Sequence, residues 1–217
     1  MQPEILWLFG DSYVDPQYRA TNDFLVYYER LEQNFLVKNF AIKGTGPEWS
    51  LQKFIDEDKK TDNELKGKIG IVFCASSYFR FNFEFLKPRH QIFTLLTRKQ
   101  KKRLVFAKQY KHWNTFVWVF LEKYALHNAI DNDYLLSNML LVKHFAMQYN
   151  RCIYWPIFDD LESGIKETYK DKNFYIPDKM LKLFAGKEPD LIYTLPNHMD
   201  EEGHNQVYEI LKSKLMD

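Results

Sequence analysis

Leu6-Trp7-Leu8-Phe9-Gly10-Asp11-Ser12 is the stretch on which the reading of the fold turns. Ile5–Phe9 is a short apolar run and reads as a buried strand. It stops at a glycine followed by two side chains that favour turns. Gly10 allows a sharp turn there, and such a turn would carry Ser12 above the strand's carboxyl end.

Working outward, residues 22–33 carry Phe24, Leu25, Tyr28 and Leu31 at helical spacing, with Thr21 or Asn22 as the cap. Residues 35–40 read as a second strand. It ends in Ala41-Ile42-Lys43-Gly44-Thr45-Gly46-Pro47, and Pro47 suits the first turn of a helix that turns Leu51, Phe54 and Ile55 inward. Residues 69–74 and 152–158 read as a third and a fourth strand. The long stretch between these two reads as mostly helical. Its last helix starts at Asp131 or Asn132 and carries Leu135, Met139, Val142 and Phe145 at helical spacing. A final helix covers Glu201–Met216. Strands alternating with helices imply an α/β fold, a parallel sheet covered on both faces. Residues 88–128 exceed a normal crossover and are expected to form an insertion or lid. The 217 residues fit one domain.

Apolar residues make up 46% of the chain, enough for a sizeable core, and the net charge of +1 gives no general bias toward nucleic acid. No run approaches the roughly 18 apolar residues of a membrane span. The first apolar run ends at Gly10, too short for a secretory core. Cys74 and Cys152 lie inside apolar strands and read as buried thiols. A cytoplasmic setting is therefore expected. The six histidines are scattered without metal-site spacing, and neither a Walker loop nor Gly-x-Gly-x-x-Gly occurs, so no cofactor is expected. Nothing in the sequence specifies an oligomeric state.

A serine becomes a nucleophile when a base takes its proton. The candidate base lies at the far end of the chain, in Asn197-His198-Met199-Asp200-Glu201-Glu202-Gly203-His204. A parallel α/β fold brings such distant segments to the carboxyl edge of its sheet. Asp11 stands beside the serine and is grouped with the substrate-binding residues, although both can equally cap a turn. An acyl-transfer site also needs donors aimed at the developing oxyanion. The Gly44 amide is the first choice and that of Gly46 the second.

Together these blocks resemble the SGNH hydrolase superfamily, the GDSL-type esterases and lipases. Gly10-Asp11-Ser12 matches the first block. Asn39, followed five residues later by Gly44, matches the second. His198 with Asp200-Glu201-Glu202-Gly203-His204 matches the last. The resemblance implies a three-layer αβα sandwich around a mostly parallel five-stranded, flavodoxin-like sheet. It also implies Ser–His hydrolysis of esters or acyl transfer, with a small-molecule or carbohydrate ester as substrate.

The chain departs from that pattern twice. The third block usually holds Gly-x-Asn-Asp. Here the place reads Cys74-Ala75-Ser76-Ser77-Tyr78-Phe79-Arg80-Phe81, where Ser76 or Ser77 would supply a hydroxyl donor. The Ser-Ser-x-x-Arg-Phe run resembles divergent, phage-type members. Arg80 would either clamp an anionic group of the substrate or form a structural ion pair. In the last block the family places Asp three residues before the histidine, and here that residue is Leu195. Asp190 is the nearest upstream carboxylate, with Asp159 and Asp160 as alternatives. His198 is preferred to His204 as the base, because His204 shares a helical stripe with Val207, Leu211 and Leu215 and is expected to pack against the sheet. The basic run 98–103 and the aromatics Tyr110, Trp113, Phe116, Trp118 and Phe120 fall in the insertion. A degenerate glycan- or polyanion-binding module is the alternative to an enzyme.

Overall fold

The computed structural model describes residues 3–11, 13–15, 25–42, 45–75, 80–81, 93–94, 132–157, 161–178, 180 and 201–216, with 80–81, 93–94 and 132–134 described in backbone only. Along the chain run β1 (Ile5–Phe9), α1 (Tyr27–Leu31), β2 (Leu36–Asn39), α2 (Pro47–Asp58), α3 (Asn63–Lys66) and β3 (Ile69–Ala75). They are followed by β4 (Arg80–Phe81), β5 (Phe93–Thr94), α4 (Asn132–Ala146), β6 (Arg151–Pro156), α5 (Ser163–Tyr169), β7 (Phe174–Tyr175) and α6 (Glu201–Met216).

Five strands form one sheet in the order β2-β1-β3-β6-β7, and every pairing in it is parallel. Alternate residues of each strand point to opposite faces. Leu6, Leu8, Val72, Cys74, Ile153 and Trp155 face one way, into a core closed by α1 and α6. Trp7, Phe9, Ile71, Phe73, Cys152 and Tyr154 face the other way, against α2 and α4 with α5 beside them. Helices therefore cover both faces of an all-parallel sheet, the usual consequence of strand–helix–strand crossovers.

The strand order carries the functional information. From β1 the chain steps outward to β2, then crosses back over β1 to β3 and continues to β6 and β7. The crevice between β1 and β3, where the direction reverses, is where ligands bind in such folds, outside the carboxyl ends of the strands. Phe9 is level with Phe73, so β3 runs two residues beyond β1 at that edge.

One expectation needs correction. The first helix does not begin near residue 22 with Leu25 inward. Val26 is extended, with φ −75° and ψ 158°, the helix starts at Tyr27, and Leu25 is 47% exposed. The backbone donors at this start are taken by side chains. Glu29 Oε2 accepts the Val26 N–H at 3.2 Å, and His204 Nδ1 accepts that of Tyr27 at 3.3 Å. Arg30 Nε in turn donates to the Leu25 carbonyl at 3.0 Å. The helical insertion at 88–128 lies largely outside the described residues. The two described inside it, Phe93–Thr94, form a strand that pairs antiparallel with Arg80–Phe81.

On the outer surface of α2, Glu57 Oε1 receives Lys53 Nζ at 2.7 Å and Lys60 Nζ at 3.0 Å. The hydrogen bond from Lys53 leads in holding the Glu57 carboxyl below its ordinary range, and Lys60 adds to it. A carboxyl depressed in the folded state stabilises above its unfolded pKa of about 4.3 and loses that contribution as the pH falls. Glu57→Gln is expected to destabilise by about 0.5 kcal/mol at pH 7. Urea unfolding repeated at about pH 3 should show the difference gone. A difference that persists there would locate the effect in packing rather than charge.

Candidate functional site

The carboxyl edge at β1 and β3 is built from backbone that binds back onto itself. Asp11 is 0% exposed, and its Oδ1 accepts the Tyr13 N–H at 3.1 Å. The Asp11 carbonyl receives the Val14 and Asp15 amides at 2.9 and 2.8 Å. The aspartate thus closes a tight turn directly after β1, as short acidic side chains do when they reach backbone amides two residues on.

The loop after β2 is fastened to this turn. Asn39 Nδ2 donates to the Val14 carbonyl at 2.6 Å, and Asn39 Oδ1 accepts the Ala41 amide at 3.0 Å. The Ile42 amide reaches the Gly10 carbonyl at 3.2 Å. Thr45, fully buried, donates through Oγ1 to the Ile42 carbonyl at 2.8 Å and toward that of Gly10 at 3.3 Å. Gly46 caps α2, and Pro47 is its first residue, as the sequence predicts.

On the inner side the turn packs against β3. A Cβ built on Gly10 would lie 3.0 Å from Cys74 Cβ and 3.2 Å from the Cys74 carbonyl oxygen. Glycine is required here by close approach of two main chains. Tyr27, fully buried on α1, donates its hydroxyl to the Tyr13 carbonyl at 3.1 Å and lies in the same core as Cys74.

Burial, and after it the neighbouring Asp11 carboxylate, pushes the Cys74 thiol far up. Burial, followed by Asp171, raises that of Cys152. Both cysteines are free and buried, as their strand positions predict. Since the thiolate is the reactive form, neither should react with Ellman's reagent over minutes in the native protein, and both should react in guanidinium. Rapid labelling of a native thiol would contradict the packing around these two residues.

His204 is buried on the first turn of α6, as its apolar stripe predicts. Its ring stacks on Tyr27 with centroids 5.7 Å apart and planes at 25°, so its neighbour here is a helix rather than a strand. Nδ1 accepts a hydrogen bond and carries no proton.

Of the predicted site residues, Asp11 is placed in full. Arg80 is placed by its backbone in β4, opposite Thr94. Ser12, Gly44, Ser76, Ser77, Asp190 and His198 lie outside the described residues, as do Asp159, Asp160 and the basic run 98–103. The chain neighbours of several are placed: Asp11 and Tyr13 flank Ser12, Ile42 and Thr45 flank residues 43–44, and Ala75 precedes Ser76. Tyr27 escaped the sequence reading. Its only signal there was an aromatic residue inside a predicted helix.

The arrangement defines a doubly wound parallel α/β protein whose switch point lies between β1 and β3. No protein-family model matches the chain, and no curated protein matches it either. Among the described residues, no helix is long and apolar enough to cross a membrane.

Proposed function

We propose that this protein is a serine hydrolase of the SGNH type, acting on ester bonds of a small molecule or carbohydrate. The observation that carries the reading is the union of the first two sequence blocks at the switch point. Asn39 of the second block grips the Val14 carbonyl, and the Ile42 amide grips that of Gly10 in the first.

In this reading Ser12 Oγ attacks the ester carbonyl carbon while His198 accepts its proton. The Ser12 and Gly44 amides, with a hydroxyl of Ser76 or Ser77, hold the oxyanion. Collapse of the tetrahedral intermediate breaks the bond to the leaving oxygen, and His198 returns the proton to that alcohol. Water, activated by the same imidazole, then releases the acid and frees Ser12. Asp190 orients the imidazole, and Arg80 receives an anionic part of the substrate. An O-acetylated carbohydrate is the favoured substrate class, and an acyltransferase would use the same acyl-enzyme with a sugar hydroxyl in place of water.

The test is covalent. A fluorophosphonate probe should modify one residue, and peptide mass spectrometry should locate it at Ser12. Hydrolysis of p-nitrophenyl esters of increasing chain length should then identify the acyl group. Absence of both labelling and hydrolysis would reject the hydrolase and favour a binding module.

A further inference from the structure

We infer that Tyr27 and His204 form a clamp that sets the register between the turn bearing the candidate nucleophile and the helix that follows the candidate base. The inference rests on the ester-hydrolase reading above. Both are positioning residues, since neither is placed against substrate.

Tyr27 holds two parts of the fold at once. Its hydroxyl donates to the carbonyl of Tyr13, the residue after Ser12. It lies in the same buried core as Cys74, one residue before β3 ends. Its backbone N–H donates to His204 Nδ1, and its ring stacks on that imidazole. His204 follows His198 by six residues and lies in the first turn of α6.

Directional polar ties at the start of α6 distinguish this clamp from ordinary core packing. Val207, Leu211 and Leu215 already bury the apolar stripe of α6 against the sheet. Apolar contact is non-directional and specifies register less sharply than a hydrogen bond does. Three polar ties instead join the first two turns of α6 to α1 and the turn after it. They comprise His204 with Tyr27, Glu201 near Arg30 at 3.8 Å, and, one turn on, Tyr208 OH accepting from Asn34 Nδ2 at 3.2 Å. Hydrogen bonds are directional, so they fix register where packing does not. A misplacement of about 1 Å between reacting groups costs on the order of 10²-fold in rate.

The experiment compares kcat and KM for p-nitrophenyl acetate in wild type, Tyr27→Phe, His204→Phe, His204→Asn and Val207→Ala, each checked for folding by circular dichroism. Tyr27→Phe keeps the ring and loses the tie to Tyr13. His204→Phe keeps the stack and loses the acceptor, whereas His204→Asn restores one. Both Phe variants should lose kcat by about 10–100-fold with KM held within about threefold. His204→Asn should recover most of that loss, and Val207→Ala should change stability but not kcat. Should either Phe variant fail to fold, the other carries the comparison. Unchanged kcat in the folded Phe variants, with wild type active and Ser12→Ala inactive, overturns the clamp and leaves the hydrolase standing. Wild type without Ser12-dependent turnover removes the hydrolase, and the clamp with it.

Discussion

Ser12→Ala is expected to lower kcat for ester hydrolysis by roughly 10⁴–10⁶-fold, with the variant folded and its unfolding midpoint close to that of wild type. His198→Ala should fall to a similar level, because a base without a nucleophile and a nucleophile without a base fail at the same step. The double variant should be no worse than either single one. Groups that act as a unit are strongly non-additive, and the residual rate comes from oxyanion donors and binding. Additive losses would place the two residues in separate roles. Asp190→Asn separates a triad from a dyad. If Asp190 orients the imidazole, its loss should cost on the order of 10⁴-fold in kcat. If the imidazole is oriented by a backbone carbonyl, the variant should match wild type. Single-turnover kinetics with a p-nitrophenyl ester would measure each case. Ser12→Ala retaining a tenth of the activity would end the proposal.

Gly10→Ala is expected to destabilise the protein by roughly 2–3 kcal/mol through overpacking at the β1–β3 edge. The new methyl would meet Val14 Cγ2 at 2.8 Å, Cys74 Cβ at 3.0 Å and the Cys74 carbonyl oxygen at 3.2 Å. A valine methyl can rotate aside, but a Cβ and a backbone oxygen move only with their strand. The turn must therefore shift away from β3, so activity should fall together with stability. Gly164→Ala is the matched control. Nothing lies within 4 Å of a Cβ at that helical position, so the substitution should stabilise by about 0.5–1 kcal/mol. Urea unfolding of both variants checks the pair, and equal midpoints would mean that the close approach at Gly10 is relieved without strain.

Apolar runs long enough to display their period were legible in the sequence. The bounds of β1 and α6 and the first residue of α2 agree with the reading made from residues alone. β7 did not stand out, because it is two residues long and its place depends on pairing with Cys152 and Ile153. The start of α1 was misread because its donors are satisfied by Glu29 and by His204, the latter 177 residues away. No local pattern encodes such a partner. At the candidate site the same division holds. Gly10 was recognisable as the stop after a strand and Asn39 through the sequence block it matches, and the structure shows what each one touches. The role of Tyr27 was invisible, since its partners Tyr13 and His204 come from separate parts of the chain.

The order of the strands also bears on how the molecule is made. Of the five strands of the sheet β1 is synthesised first but lies inside it, and its neighbour β3 is not made until residue 75. Leu6 and Leu8 share their core with Val207, Leu211 and Leu215 of α6. A ribosome-bound chain that has not yet released α6 therefore leaves part of one oily side of the sheet uncovered. Such an intermediate is an aggregation hazard of the kind chaperones exist to shield. Closure of the first strand's own core awaits α6, the last of the described elements to be made, so slow translation between β7 and α6 would lengthen the vulnerable interval rather than help the protein fold.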